Sequence, residues 1–218
     1  MKKIGLLTVL LISISISAQF EASFGVKAGT NYSQFTPDME VAGTTTLEYQ
    51  GKIGYYVGGF MNISLSDKLS IQPELLFANQ GTKTFVENFP ARESPAEPER
   101  LVDVKTNVNE YSILLPVVFR YGFTETFFIE AGPQVSYAFD RTDIIRLNEL
   151  DPSTEGEEVT DSPFVTDFDE LDIAVNLGVG IDLTEKLELN LRYALGIIER
   201  DDNYKTAVIN FGLGFKVL

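Results

Sequence analysis

The sequence predicts an all-β fold, an eight-stranded antiparallel up-and-down transmembrane β-barrel, and three observations carry that prediction. The first is a strict period of two. From Leu171 to Leu183 and from Leu187 to Ile197 every odd-numbered residue is apolar; the even ones run Asp172, Ala174, Asn176, Gly178, Gly180, Asp182, then Glu188, Asn190, Arg192, Ala194, Gly196. Successive side chains on a strand point to opposite faces, so each run is a ribbon with one greasy face and one polar, glycine-rich face. The second is a regular alternation of short and long connections between such runs. The third is an export leader at the N-terminus.

The leader comes first in the chain. Lys2 and Lys3 precede an apolar run, Ile4 to Ile16, followed by Ser17-Ala18-Gln19, which is the charged, apolar and small-residue order of a secretory signal peptide. Cleavage is expected after Ala18, giving a signal peptide over 1–18 and a barrel domain over 19–218. The apolar run is shorter than the ~20 residues a spanning helix needs. The strands then follow at Ser23–Tyr32, Lys52–Leu65, Leu69–Gln80, Tyr111–Phe123, Phe127–Asp140, Leu171–Leu183, Leu187–Ile197 and Thr206–Leu218. Eight is an even number and the smallest size of outer-membrane barrels.

Short turns are expected at Ser66-Asp67-Lys68, Thr124-Glu125-Thr126 and Thr184-Glu185-Lys186, and long polar loops at about 33–51, 81–110, 141–168 and 199–205. Short periplasmic turns with longer extracellular loops are the outer-membrane habit, and an even strand number leaves both termini in the periplasm. The second loop, Asn88 to Asp103 with Pro90, Pro95 and Pro98, reads as mobile and exposed. The third carries Asp151, Glu155, Glu157, Glu158, Asp161, Asp167, Asp169 and Glu170. These are hard oxygen ligands, but no calcium-loop spacing orders them, and a solvated acidic loop is the simpler reading.

A soluble, lipocalin-like barrel has the same alternation with its faces reversed, apolar inside and polar outside. Two features favour the membrane. The polar face is rich in glycine, which suits a crowded lumen and weakens a solvent-exposed face. The apolar face carries no charge within the eight runs, and its aromatics gather at the run ends: Phe24, Phe123, Phe127 and Phe215 toward the short turns, Tyr32, Phe77, Tyr111, Tyr137 and Phe139 toward the long loops. That distribution matches two interfacial girdles.

The polar face bears Lys27, Lys52, Glu74, Arg120, Glu130, Asp172, Asp182, Glu188, Arg192 and Lys216. An eight-stranded lumen is only wide enough for side chains to fill it, so these charges have to pair with one another or with trapped water. Glu74, Arg120, Glu130 and Arg192 are the candidates for a structural network at mid-lumen, and a sealed plug is the reading preferred over an ion path.

Composition excludes several chemistries. The chain has no cysteine and no histidine, so Ser-His-Asp and Cys-His catalysis and histidine-ligated metals are unavailable. Gly178-Val179-Gly180 and Gly212-Leu213-Gly214 lie inside strands with no helix to follow and read as lumen glycines rather than a phosphate cradle. No catalytic residue, cofactor or metal is expected. The net charge of −15 argues against nucleic acid, whose phosphates need clustered Lys and Arg.

The segments Gly25-Val-Lys-Ala-Gly-Thr-Asn31, Gln72-Pro-Glu-Leu-Leu-Phe77, Leu115-Pro-Val-Val-Phe-Arg-Tyr121, Phe128-Ile-Glu-Ala-Gly-Pro-Gln134 and Leu191-Arg-Tyr-Ala-Leu-Gly196 resemble successive strands of the outer-membrane protein β-barrel domain family of the Bacteroidetes type, which includes PorT-like proteins. The resemblance spans essentially the whole mature chain. It implies an eight-stranded barrel in the outer membrane of a Gram-negative bacterium, most members of the family having no assigned activity. The chain departs from the wider outer-membrane pattern at its end, where Leu218 stands in place of a terminal aromatic. The expected role is non-enzymatic, structural or surface-interacting, through loops that meet outer-membrane lipid, lipopolysaccharide or a protein partner. The alternatives are an accessory subunit of a secretion or uptake complex, a small-ligand-binding barrel and a narrow channel.

Overall fold

The computed structural model describes residues 21–41, 45–92, 96–158, 169–200 and 204–217, so the expected signal peptide lies outside the described residues. The strands are β1 (Ala22–Thr36), β2 (Met39–Val41), β3 (Thr45–Gln50), β4 (Lys52–Ser64), β5 (Leu69–Ala91), β6 (Arg100–Gly122), β7 (Phe127–Asn148), β8 (Leu171–Asp182), β9 (Leu187–Gly196) and β10 (Lys205–Lys216). Strands β1 and β4 to β10 each pair antiparallel with the next, and β10 returns to β1 to close a ring of eight. Closure of the ring gives each of its eight strands a neighbour on both sides, the condition for a sheet in a medium without water. The small β2–β3 hairpin stands outside the ring and adds to β5, with Leu47 opposite Val86 and Gln50 opposite Lys83.

The alternation now has a direction. Ile53 is 75% and Leu177 62% exposed, whereas Asn176 and Glu188 are fully buried. The apolar rows of the barrel strands, even-numbered in β1 and odd-numbered in the others, therefore point outward and the rows that carry the polar residues inward. An apolar wall of this extent is stable only against lipid. This corrects the lipocalin-like alternative, which requires an apolar interior. The outer aromatics touch one another as the girdle reading expects: the Phe77 ring lies 6.1 Å from Tyr111 and 6.0 Å from Phe139, and Tyr121 meets Phe123 edge-on at 5.4 Å.

One local design makes all three short turns. In Leu65-Ser-Asp-Lys-Leu69, Phe123-Thr-Glu-Thr-Phe127 and Leu183-Thr-Glu-Lys-Leu187, the hydroxyl of Ser66, Thr124 or Thr184 accepts hydrogen bonds from the two backbone N–H groups that re-enter the next strand. A Ser or Thr that caps its own turn in this way supplies the acceptor the reversing backbone lacks. The carbonyls of Lys68, Thr126 and Lys186 then accept from Gly122, Asp182 and Lys216, which ties each turn to the following hairpin.

At the other end the expected loops are largely strand. β5 runs to Ala91 rather than Gln80, β6 begins at Arg100 rather than Tyr111, and β7 continues past Asp140 to Asn148. Within the segment expected as a mobile loop, Asn88 to Asp103, both described ends are strand, with Phe89 opposite Val102 and Ala91 opposite Arg100. Asn88 takes a left-handed φ of 55° at a bulge, and its N–H donates to Asp103 Oδ1 at 3.0 Å. The reason is physical. About 10 residues of a tilted strand cross the hydrocarbon, and these strands have 23, 23 and 22 residues, so they rise well beyond it. Beyond the lipid, water reaches the outer face too, so the apolar outer row that marks a strand in the sequence is lost although the strand continues.

Candidate functional site

All ten charges read from the polar face point into the lumen, and eight of them are buried. Glu74, Arg120, Glu130 and Arg192 fall within one cluster, together with Lys27 and Glu188. Arg192 donates to both carboxylate oxygens of Glu74, at 2.9 and 2.8 Å, and through Nε to Glu130 Oε1 at 2.7 Å. Lys27 Nζ donates to Glu74 Oε1 at 2.7 Å and lies 4.0 Å from Glu188 Oε1. Arg120 Nη1 donates to Glu188 Oε2 at 2.9 Å and to the Gln72 amide oxygen. Three cations thus face three carboxylates. A buried charge without a counter-charge costs several kcal/mol, so this balance is what makes the cluster tenable.

Cross-strand glycines let the charges reach each other. Glu130, Gly178 and Arg192 stand in one register row across β7, β8 and β9, and the Glu130–Arg192 ion pair passes over Gly178. Lys27, Gly214 and Glu188 repeat the device across β1, β10 and β9. A Cβ on Gly178 would sit 2.9 Å from the Glu130 carboxylate, and one on Gly214 2.7 Å from Glu188 Cγ. The same pairing seats inward aromatics that the alternation alone does not reveal. Phe60 lies over Gly25, Phe128 over Gly180 and Tyr56 over Gly29, each its register partner; Tyr56 also covers Gly212. Arg120 in turn stacks on Phe128 at 3.7 Å from the ring centroid. The signal available in the sequence was an aromatic at an even, polar-face position opposite a glycine.

A second cluster closes the long-connection end. Arg200 makes a two-point contact with Glu110, at 2.9 and 3.2 Å, and its Nε donates to the Asp169 carbonyl at 2.9 Å. Arg141 pairs with Asp143 at 3.2 Å and lies 3.9 Å from Glu110. Tyr204 stacks on Phe35 with centroids 4.0 Å apart, and Tyr49 and Val108 pack against them. Apart from Asp169, weighed above only as an oxygen ligand of the acidic loop, none of these residues was a candidate, because all lie in stretches read as loop or at strand ends.

The acidic third connection shows no metal geometry among the described residues. Asp151 caps the single-turn 3-10 helix Pro152–Thr154, accepting from the Ser153 hydroxyl at 2.6 Å and from its N–H at 3.1 Å. Those two hydrogen bonds hold its carboxyl below the usual carboxylate range. Asp161 and Asp167 lie outside the described residues. Of open space, a cavity of about 220 Å³ sits at the short-turn end, bounded by Ser64, Ser70, Arg120 and Phe128, while a void at mid-lumen measures only about 10 Å³.

A model of the outer membrane protein beta-barrel domain matches residues 17–202. Among curated proteins none matches the sequence. Neisserial surface protein A has the same fold, with a TM-score of 0.50 at 14% identity over 90% of this chain and 99% of that one. The attachment invasion locus protein Ail of Yersinia pestis, in complex with the heparin analogue sucrose octasulfate, gives 0.46 at 12% identity over 90% and 99%. OprG of Pseudomonas aeruginosa gives 0.42 at 14% identity over 90% and 96%. With its greasy face turned to lipid and the family match covering most of its length, the chain belongs to the outer membrane protein beta-barrel domain family and resides in the Gram-negative outer membrane.

Proposed function

We propose that this chain is a non-enzymatic, non-conducting outer-membrane barrel that acts through contacts made at the cell surface. The balanced, buried cluster of Lys27, Arg120, Arg192, Glu74, Glu130 and Glu188 is the observation that supports a sealed lumen. A solute crossing it would have to break ion pairs whose partners have nowhere else to go. In this reading the short turns face the periplasm, and the extensions of β5, β6 and β7, joined by β2 and β3, stand outside the cell as a wall. The wall presents Leu101, 64% exposed, and above the aromatic girdle the exposed cations Lys83, Lys105 and Arg146. Such cations suit the phosphates of lipopolysaccharide, and an exposed leucine suits a protein.

Photo-crosslinking in intact cells tests the reading. A photoreactive residue at Leu101 or Lys105 is expected to capture a surface component, lipopolysaccharide or protein, whereas one at Glu125 on a short turn captures none. Equal surface capture from both positions, or none from the wall, would sink it. Capture of one defined protein across the wall would favour a PorT-like accessory subunit of a secretion or uptake complex.

A further inference from the structure

At the short-turn end the lumen opens into the cavity of about 220 Å³, whose lining carries the donors Ser64, Ser70, Lys68, Arg120 and Lys216 together with the carboxylates Asp67, Glu125 and Asp182. Ser64 stands opposite Ser70 and Ser70 opposite Arg120, so three inward-facing polar residues form one row across β4, β5 and β6. Ser70 Oγ accepts from Asn62 Nδ2 at 3.1 Å, which leaves its own hydrogen to donate. Arg120 is only 5% exposed, yet it commits a single nitrogen, Nη1, to protein acceptors. The Phe128 ring beneath it, 3.7 Å from the guanidinium, fixes the plane in which the remaining Nε–Nη2 edge lies. Nearby charges leave that edge free. Lys216 is engaged by Asp182 at 3.2 Å, and Asp67 and Glu125 sit on the exposed turns at the rim, where water and salt screen them.

We propose that this cavity binds a small oxyanion, a carboxylate or phosphate group, held in a two-point contact by the Nε–Nη2 edge of Arg120 and seated by the hydroxyls of Ser70 and Ser64. A planar guanidinium edge matches two oxygens of such a group, and the low-dielectric floor strengthens the contact. The volume suits a small molecule rather than a drug-sized ligand, whose sites begin near ~300 Å³. The site lies at the end of the barrel opposite the proposed surface wall, and it faces the periplasm in the orientation given above.

The full chain, refolded in detergent micelles, is titrated with sodium phosphate and separately with sodium succinate while the arginine Nε–Hε signals are followed by NMR, sodium chloride serving as the control for ionic strength. The Arg120 signal is expected to shift saturably, with Arg192 little moved. Ser70→Ala should weaken binding about tenfold, the size of one hydrogen bond to a charged group. Ser64→Leu fills the cavity without touching the charged cluster and should abolish binding, with folding verified by heat-modifiable gel mobility. A response to one anion alone also supports the site and identifies its source. No saturable shift beyond that of chloride, or unchanged binding in Ser64→Leu, overturns it. Because micelles impose no orientation, this outcome is independent of whether the wall meets the cell surface.

Discussion

The mid-lumen cluster and the cluster at the long-connection end both bury arginine against carboxylate, yet they are built on different terms. At mid-lumen every charge comes from a barrel strand and from an inward position, and each counter-charge is reached over a glycine of an intervening strand or directly across the bore. Arg192 serves both Glu74 and Glu130, with Lys27 as a second partner for Glu74. At the other end Glu110 has Arg200 in two-point contact and Arg141 at 3.9 Å in reserve, with stacked aromatics beside them. Loss of Arg192 at mid-lumen takes away the ion pair of Glu130 and one of the two of Glu74, whereas loss of Arg200 at the other end leaves Arg141 beside Glu110. The first should fail abruptly when a partner is lost; the second should yield by degrees.

The largest expected effect follows from that contrast. Arg192→Ala leaves two buried carboxylates short of their main counter-charge and should cost about 3–5 kcal/mol, read as a lowered urea midpoint for unfolding from lipid vesicles. Replacing Arg192 and Glu74 together, by Met and Leu, should recover much of that loss. If the double variant is no better than the single, the two do not act as a pair.

Next comes the glycine seating. A Cβ on Gly180 would lie 2.0 Å from Phe128 Cζ, so Gly180→Ala overpacks the lumen and should destabilise by about 1–3 kcal/mol. Phe128→Leu in the same chain should relieve it, as judged by the temperature at which gel mobility shifts. An additive double variant would show that the ring does not need the glycine.

Arg200→Ala should cost less than Arg192→Ala, on the order of 1–2 kcal/mol, because Arg141 remains beside Glu110. Hydrogen exchange at Tyr204 and Arg200 should rise while that of β8 and β9 is unchanged. Loss of protection throughout the barrel would mean the two clusters are one unit.

The smallest effect concerns pH at the long-connection end. Hydrogen bonds from Ser153 depress the Asp151 carboxyl, so its folded value lies below its unfolded one. The 3-10 turn therefore keeps this contribution above the unfolded carboxylate value and loses it as pH falls through the folded value. The Ser153 amide resonance should follow that protonation, and Ser153→Ala should raise the pH at which it occurs. An amide that moves identically in the variant would contradict the cap.

Legibility in the sequence stops where lipid stops. Leu171 to Ile197 announces two strands because alternate residues meet hydrocarbon and a polar bore. Val102 to Glu110 continues β6, but with water on the outer side the odd positions carry Asp103, Lys105, Asn107 and Asn109 while Val102, Val104 and Val108 stand at the even ones, so the alternation survives with its phase reversed and lacks the apolar odd row that marks Tyr111 to Tyr121. The four candidate lumen charges were legible for the same reason: a charge on the polar face of a narrow barrel must be inside. Lys27 and Glu188 were on that face too, but spacing cannot say which charges meet, since Arg120 lies in register with Glu130 and yet pairs with Glu188. Arg200 and Tyr204 come from a connection and were invisible to periodicity. The sealed lumen proposed above depends on three-dimensional fit, which no one-dimensional pattern encodes.

Single-channel recording in planar bilayers tests the sealed lumen most directly. The intact protein, verified as folded by gel mobility, should show no resolved conductance steps, and Arg192→Ala combined with Glu74→Ala and Tyr56→Ala, which empties the mid-lumen, should produce them. Steady ohmic steps from the intact protein, unchanged in the emptied variant, would contradict the account.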